Sequence, residues 1–399
     1  MDKLSICILS IDHYPQYLGG IKRVTSILGS KWIHYNCDVF YLTFCSSSFR
    51  PNCIKGIPQL YFPNATNINS DENIVFFTNF IQQHQIKIIL NPHVEDHELT
   101  RLTFKIKKST NVKLVSVLHF SPNHQLDITQ QSFFNKYLLG DNPLKWIKDF
   151  ILWARFHLIN GKKIQKQQKH WQNTIIQRSD KFVLLSQHFY KYFNSEELKH
   201  ITFINNPTDN TINDDVEKET SKKEKTVVWC GRMDLNGMKR VDRILRIWKK
   251  ISPSHLNWKL KILGSGDKKY INKIVQNYSI KNVEVVGFCN AYDYYDKASI
   301  LTLTSTTEGW GMVLVEAQQF GCVPIAFDSY DSIKDIIQNG ETGFLIKPFN
   351  LDEYANRLSY IMDHPEVRER ISRKAKESVT RFNASCIAQQ WIELFNSLL

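Results

Sequence analysis

The sequence lacks a long hydrophobic run, since none of its apolar stretches reaches the roughly 18 residues that span a bilayer. Its first segment, "MDKLSICILSIDHYP", is a short apolar run that Asp12 and His13 interrupt. That segment has neither the cationic lead nor the small-residue cleavage site of a signal peptide. We therefore expect a buried first strand, in a cytoplasmic protein that is at most peripheral on the inner face of the cytoplasmic membrane.

Several motifs are also absent. The eight cysteines form no CxxC pair, which favours free buried thiols in a reducing compartment over disulfides or zinc. There is no Asp-x-Asp, the pattern that would hold a metal on a diphosphate. The turn "LGSGD" at 263–267 lacks the third glycine of a dinucleotide fingerprint, so a structural turn is favoured there and a Rossmann dehydrogenase is not.

What the chain does contain is typical of a soluble globular protein. Its 399 residues are 42% apolar and 23% charged, and this length predicts two domains. The net charge of +12 favours anionic partners, namely nucleic acid, phosphorylated small molecules or anionic lipid. Charge alone does not separate these three classes.

Strand-like runs alternate with helical patterns in both halves of the chain, which predicts parallel sheets covered by helices. Residues 206–225 lose nearly all apolar content and are expected to form a linker or a solvated loop between domains. We therefore predict an α/β protein with two Rossmann-like doubly wound domains, 1–205 and 226–380, that face each other across a cleft. The remaining residues, 381–399, should form a helix that packs back toward the first domain. Ligands of such sheets bind beyond the carboxyl ends of the strands.

The segment 143–176 departs from this pattern, with seven Lys or Arg residues and a single acid, Asp149. Its periodicity predicts a basic amphipathic helix rich in tryptophan, which suits an anionic membrane surface. The alternative is a helix docked on its own domain with solvated bases. The residues expected to face a membrane or an acceptor are Trp146, Lys148, Phe150, Trp153, Lys162 and Lys163.

The most specific stretch is "TTEGWGMVLVEAQQFGCVPIAFDS" at 306–329, where Glu308 lies in a glycine-containing loop and Glu316 inside an apolar run. If a helix begins near Gly311, its free amides point at an anion. Eight helical residues rise roughly 12 Å, about the reach of a nucleotide diphosphate sugar from hexose to ribose. Glu316 could then accept ribose hydroxyls while Glu308 holds the transferred sugar.

Residues elsewhere in the chain are also compatible with a nucleotide diphosphate sugar as ligand. Arg232 and Lys239 flank a glycine-containing loop and could clamp a pyrophosphate, although a solvated basic loop is the plain alternative. Gly19 and Gly20 follow the first strand and would let the backbone approach a phosphate or sugar, or would simply form a tight turn. His119 ends a strand on the ligand-binding side, where a lone histidine is more often structural than catalytic.

Taken together, these motifs resemble the retaining, nucleotide-sugar-dependent glycosyltransferases of family 4, which have the GT-B fold. The similarity runs almost in register from Thr226 to about Phe382, through "WCGRMDLNGMKRVDRIL", "LKILGSGD", "VEVVGF", "STTEGWGMVLVEAQQFGCVPIAFD" and "NGETGFLI". The first half matches more loosely, through "LGGIKRV", "LHFSP", "SDKFVLLSQ" and "FINNP".

The resemblance implies that Glu308 lies beside the donor hexose and that Glu316 holds the ribose. It also implies that Arg232 and Lys239 hold the diphosphate and that His119 lies under the donor sugar. Transfer would retain the anomeric configuration without a divalent metal or other cofactor, with UDP as the expected nucleotide. The remaining donor-binding residues would be Gly19, Gly20, Ser305, Gly311, Met312 and Val313.

Four positions depart from the family pattern. Thr304 replaces the usual proline, Trp310 the usual phenylalanine, Arg240 a frequent glycine and Asp267 a frequent proline. None of them removes a charged group that the chemistry needs. They leave the identity of the hexose open.

The leading hypothesis is transfer of a hexose or N-acetylhexosamine to a saccharide or lipid-linked saccharide, as in bacterial enzymes of surface polysaccharide and lipopolysaccharide synthesis. The alternative within the same fold is a nucleotide-sugar epimerase, which needs no acceptor. A basic nucleic-acid-binding protein is the alternative from another class, predicting steep salt dependence. No recognition-helix, RNP-like or zinc-finger pattern supports it, and the glutamate pair would remain unexplained. We therefore expect no nucleic-acid partner.

Overall fold

The computed structural model describes residues 3–11, 19–47, 50–123, 161–209, 223–234 and 237–399. The chain divides into two compact units. The first consists of residues 1–122, 169–210 and 381–399, and the second of residues 123–168 and 211–380. Most of the expected linker 206–225 lies outside the described residues.

The sheet of the first unit is parallel except for its outermost pair. Within the described residues its strand order is β3-β4-β2-β1-β5-β6-β7-β8, and only β3 and β4 pair antiparallel. The strands are β1 (Ser5–Ile11), β2 (Asp38–Phe44), β3 (Cys53–Ile54), β4 (Ile57–Tyr61), β5 (Ile88–Asn91), β6 (Lys113–Leu118), β7 (Lys181–Leu184) and β8 (Ile201–Phe203). The helices before residue 210 are α1 (Gly20–His34), α2 (Asp71–Gln83), α3 (His97–Ser109), α4 (Lys162–Arg178) and α5 (Ser195–Leu198).

The sheet of the second unit is parallel throughout, with the order β11-β10-β9-β12-β13-β14. Its strands are β9 (Glu224–Cys230), β10 (Lys259–Leu263), β11 (Val283–Gly287), β12 (Ala298–Leu303), β13 (Val323–Phe327) and β14 (Phe344–Ile346). Its helices are α6 (Val241–Ile251), α7 (Lys268–Asn277), α8 (Tyr292–Tyr295), α9 (Met312–Gln319), α10 (Ile333–Ile336), α11 (Leu351–Asp363) and α12 (Pro365–Val379).

These elements confirm the predicted α/β class with two Rossmann-like parallel sheets. The first strand is buried as expected, from Ser5 through Ser10. All eight cysteines are free thiols, but only four are buried as expected, since Cys53 and Cys386 are exposed and Cys230 and Cys289 are half-buried. Among the described residues, no helix has the length and apolarity needed to cross a membrane.

The strand order of the second unit determines where a ligand can bind. Chain connections leave β9 toward β10 on one side and return to β12 on its other side. Such a switch point opens a crevice at the carboxyl ends of the two strands. The loops that follow β9 and β12 therefore meet there. The corresponding switch in the first unit lies between β1 and β5.

The last helix, α13 (Ala384–Leu398), packs on α1 within the first unit. The indole Nε1 of Trp32 donates to the carbonyl oxygen of Ala388 at 3.2 Å. The Trp32 ring also makes edge contacts with Trp391 and Phe395, with centroid separations of 6.2 and 5.4 Å. Edge-to-face aromatic pairs of this kind add stability beyond the area that they bury.

The "GSG" turn after β10 is shaped by close backbone contact with the loop after β9. Gly264 has a φ of +124°, and a Cβ at this position would lie 2.0 Å from the carbonyl oxygen of Gly231. The amide of Met233 donates to Ser265 O at 2.7 Å. These glycines therefore have a structural role, and they fix the loop that carries Arg232.

We expect Gly264→Ala to destabilise the protein by about 3 kcal/mol, because its Cβ would collide with a backbone oxygen that cannot rotate away. The control is Gly340→Ala, where φ is +80° but a Cβ would meet nothing within 4 Å. The control should lose only about 1 kcal/mol, the cost of left-handed backbone. Urea denaturation at an unchanged m value measures both. Equal losses in the two variants would contradict the packing argument.

Candidate functional site

The loop 305–311 lies between β12 and α9 and is held by hydrogen bonds with two other segments. The amide of Thr306 donates to Met238 O at 2.8 Å, which ties it to the loop after β9. The hydroxyls of Ser329 and Ser332 donate to the carbonyl oxygens of the loop's first and fifth residues at 3.0 and 2.9 Å. These hydrogen bonds hold the backbone on both sides of Glu308.

Glu308 lies at the centre of a polar cluster. Its Oε1 is 2.6 Å from the Nζ of Lys239 and 2.6 Å from the Oγ of Ser305. The Glu308 side chain is 11% exposed and that of Lys239 25% exposed, so the pair is shielded but still open to solvent. Charge-assisted hydrogen bonds of this length are among the stronger polar contacts in proteins. Three of the predicted donor-binding and catalytic residues are thereby brought together.

Gly311 is the N-cap of α9 and has a backbone conformation that favours glycine. Its φ and ψ are 97° and 49°, and a Cβ there would lie 2.6 Å from the hydroxyl oxygen of Tyr330. The helix begins at Met312, as the sequence predicts. The first amides of a helix have no intrahelical acceptor and carry partial positive charge, so Met312 and Val313 offer an anion-binding terminus next to Glu308.

Glu316 lies one helical turn further into α9 and is only 2% exposed. Burial raises the pKa of the Cys230 thiol to about 11, and the negative charge of Glu316 adds to this rise. Tyr295 is subject to the same two effects, burial first, and its pKa also lies well above the usual value. Glu316 therefore shares a buried polar environment with the residue that ends β9. Ribose hydroxyls could contact the Glu316 carboxylate only through the small part of it that is exposed to solvent.

Arg232 does not join the Glu308 cluster through the contacts described. Its Nε lies 2.6 Å from Asp234 Oδ2, and the Arg232 side chain is 62% exposed. Lys239 differs, because its side-chain carbons lie against Gly231, 3.2 Å from where a Cβ on that glycine would be. The lysine stem is thus confined, whereas the arginine is solvated.

Two histidines of the first unit, of which only His119 was predicted as a site residue, lie just after strand ends. His119 directly follows β6 and is half-buried. Burial and the neighbouring His93 lower the pKa of its imidazole to about 3. His93 follows β5, the strand that pairs with β6, and sequence reasoning did not single it out. The two histidines are brought together by the pairing of β5 with β6, so their proximity could not have been predicted without the strand order.

Gly19 and Gly20 lie at the start of α1. Gly19 has an extended backbone, with a φ of −61°, and forms the N-cap. A Cβ on either glycine would meet nothing within 4 Å among the described residues. Residues 12–18, which would form a tight turn with them, lie outside the described residues, so both interpretations of the two glycines stay predictions.

Of the six residues predicted to face a membrane or an acceptor, two lie within the described part of the chain. Trp146, Lys148, Phe150 and Trp153 lie outside the described residues, whereas Lys162 and Lys163 are exposed at the start of α4. Further along α4, Trp171 stacks on His97 with a centroid separation of 4.1 Å and packs against its own unit.

Two departures from the family pattern have local explanations. Arg240 occupies the left-handed region, with a φ of 54°, which is why glycine suits this position. Its guanidinium Nε lies 2.8 Å from Asp242 Oδ1 in a buried ion pair. Asp267 caps α7, because its Oδ1 accepts from the amide of Tyr270 at 2.9 Å.

His119 yields a prediction about pH. A histidine with a lowered folded-state pKa contributes stability that is present above about pH 6.5 and is lost as pH falls toward 3, because the unfolded chain takes up the proton first. We expect its imidazole carbon resonances to stay constant between pH 8 and 5, with the assignment checked by His119→Asn. That variant should also flatten the pH dependence of the urea midpoint below pH 6.5. A titration centred near pH 6.5 would contradict this description.

Comparison with known proteins agrees with the geometry. Residues 210–378 match the family model described as glycosyl transferases group 1. The amylovoran biosynthesis glycosyltransferase AmsD of Erwinia amylovora is 27% identical over 228 residues, which cover 55% of this chain and 62% of AmsD. The GalNAc-α-(1→4)-GalNAc-α-(1→3)-diNAcBac-PP-undecaprenol α-1,4-N-acetyl-D-galactosaminyltransferase of Campylobacter jejuni is 26% identical over 209 residues, covering 51% of this chain and 56% of that enzyme. The chain thus spans little more than half the length of these relatives.

Solved structures show the same fold over nearly the whole chain. Sucrose-phosphate synthase from Thermosynechococcus elongatus superposes with a TM-score of 0.74 at 16% identity, covering 99% of both chains. Anabaena HepE in complex with UDP-glucose gives a TM-score of 0.71 at 16% identity, covering 98% of this chain and 99% of HepE. At such identities the likeness shows the fold alone. Two parts of the resemblance seen in the sequence are therefore confirmed: the chain has the GT-B fold of glycosyltransferases, and its residues 210–378 match the glycosyl transferases group 1. The assignment to family 4 stays a prediction.

Proposed function

We propose that this protein is a retaining glycosyltransferase of surface-glycan synthesis. It transfers a hexose or N-acetylhexosamine from a nucleotide diphosphate sugar, with UDP as the nucleotide, to a saccharide or lipid-linked saccharide. The observation that carries the proposal is the contact of Glu308 with Lys239 and Ser305 directly before the N-terminus of α9. This places a carboxylate, a cation and helix amides within one small site.

The proposed donor binds with its diphosphate at the cationic side of this site. An ammonium group has three donors, so Lys239 can hold Glu308 and a phosphate oxygen at once. The amides of Met312 and Val313 add the partial charge of a helix N-terminus. Arg232 is exposed and would exchange its solvent contacts for the second phosphate.

Glu308 then has the role of orienting the sugar. A carboxylate accepts several hydrogen bonds and suits a polyhydroxylated ring. Its position is set from two directions, since the lysine ammonium and the Ser305 hydroxyl both bind the same oxygen at 2.6 Å. A group held in this way loses little entropy when the sugar arrives, so it can favour the reactive geometry.

The proposed reaction breaks the bond between the anomeric carbon and the β-phosphate oxygen. A new bond forms from the acceptor hydroxyl on the same face of the ring, and the hydroxyl proton passes to the departing phosphate. Negative charge grows on the diphosphate as the bond breaks, and Lys239, Arg232 and the helix amides stabilise it. In this proposal these groups take the role that a divalent metal has in other transferases.

The acceptor class rests on the named relatives. One of them is a glycosyltransferase of amylovoran biosynthesis, and another acts on an undecaprenol diphosphate-linked saccharide by its name. The exposed Lys162 and Lys163 are compatible with an anionic membrane surface near such an acceptor. We propose peripheral attachment there, on the inner face of the cytoplasmic membrane.

The test is product formation from UDP-, GDP- and CMP-sugars with saccharide and polyprenyl-linked acceptors, in excess EDTA. We expect acceptor-dependent release of the nucleotide and a product whose anomeric configuration, measured by NMR coupling constants, equals that of the donor. Glu308→Gln should lower kcat by roughly 100-fold, the usual cost of losing one key charged contact at a transition state. The matched control is Glu284→Gln, an exposed glutamate of β11 in the same unit.

Each part of the proposal has its own contradicting result. Sugar conversion without any acceptor would favour an epimerase instead. An inverted product would remove the retaining mechanism, and activity that disappears in EDTA would remove metal independence. Equal rates for Glu308→Gln and the control would remove Glu308 from the site.

A further inference from the structure

Thr304 directly follows β12 and begins the segment that leads to Glu308, and its side chain is completely buried. The hydroxyl Oγ1 accepts from the indole Nε1 of Trp229 at 2.9 Å. Its own proton is directed at two backbone carbonyl oxygens, that of Arg240 at 2.8 Å and that of Lys239 at 3.2 Å. The hydroxyl therefore links the end of β9 to the backbone of the lysine that contacts Glu308.

The neighbouring threonine completes the attachment of this segment. Thr306 donates to Met238 O both from its amide, at 2.8 Å, and from its hydroxyl, at 3.1 Å. All three carbonyl oxygens of residues 238–240 thus accept hydrogen bonds from the segment that leads to Glu308. The two loops of the switch point are joined through side-chain hydroxyls in addition to backbone contacts.

The backbone at this point needs such support. Arg240 has a φ of 54°, a left-handed conformation that costs energy in residues other than glycine. If the peptide after Lys239 turned to a commoner conformation, the lysine Cα and side chain would be redirected. A hydrogen bond to the carbonyl oxygen of Arg240 opposes that change.

We propose that Thr304 is the positioning residue for Lys239: by holding the carbonyl oxygens of Lys239 and of the left-handed Arg240, its hydroxyl aims the lysine ammonium at Glu308 and at the donor diphosphate. This inference rests on the proposed function of the site. It assigns a role to a position where the resemblance led us to expect proline, which has no hydroxyl to make these bonds.

The role can be tested by calorimetric titration with UDP, or with whichever nucleotide diphosphate the wild-type protein binds. Thr304→Val keeps the shape of the side chain but removes the hydroxyl. We expect its Kd to rise about tenfold, which corresponds to about 1.4 kcal/mol. Thr304→Ser, which keeps the hydroxyl, should restore most of the affinity. Thr304→Ala replaces the valine variant if that protein does not fold.

Thr302 provides a matched control on the same strand. It is also fully buried, and its Oγ1 donates to Val228 O at 3.1 Å, but it does not touch residues 238–240 in the contacts described. Thr302→Val should therefore lower the melting temperature much as Thr304→Val does while leaving Kd within twofold of wild type. A role in stability alone predicts the same Kd for both variants.

A double variant tests whether the effect runs through the lysine. Lys239→Met should weaken UDP binding, and adding Thr304→Val to it should weaken binding no further, because the positioned group is gone. Additive losses would overturn the positioning role, and so would an unchanged Kd in Thr304→Val. A wild-type protein that binds no nucleotide diphosphate would instead remove the proposed function, and the positioning role with it.

Discussion

The contact between Lys239 and Glu308 depends on a constraint of topology. The two residues are 69 positions apart in the sequence, yet their loops leave neighbouring strands, β9 and β12. Adjacent strands lie about 4.8 Å apart, so loops at their carboxyl ends necessarily meet. The apolar strands thereby determine where the charges can be placed. Everything proposed for the site follows from that juxtaposition.

Local sequence was enough to predict several parts of this arrangement. The alternation of apolar strands and amphipathic helices predicted two parallel α/β units. This was possible because the hydrophobic periods of strands and helices can both be recognised in short runs of sequence. A glycine step before the apolar run predicted a helix start, and Gly311 has the left-handed backbone that such a start favours. The glycines of "LGSGD" have a structural role, as the absence of the third glycine of a dinucleotide-binding motif suggested.

Other features depend on contacts between distant segments and could not be read in advance. The depth of Glu316 depends on how α9 packs against the strand ends, and no local pattern specifies that a glutamate should be 2% exposed. The environment of Tyr330 was equally unpredictable from local sequence. Its hydroxyl is buried beside Gly311, without a hydrogen-bond partner among the described residues. Burial and then the charge of Glu308 hold the Tyr330 pKa well above its usual value. The role of Thr304 appeared in the sequence only as an unexplained departure.

We propose that the site around Glu308 binds a nucleotide diphosphate through cations and helix amides. The most direct measurement is the thermal stability of the full chain with UDP, GDP, CMP, their sugar conjugates and NAD, in excess EDTA. A micromolar ligand at millimolar concentration should stabilise the protein by about 4 kcal/mol. We predict a shift with one nucleotide family that is weaker in Glu316→Ala and in Lys239→Met. No shift with any nucleotide or nucleotide sugar would contradict the account.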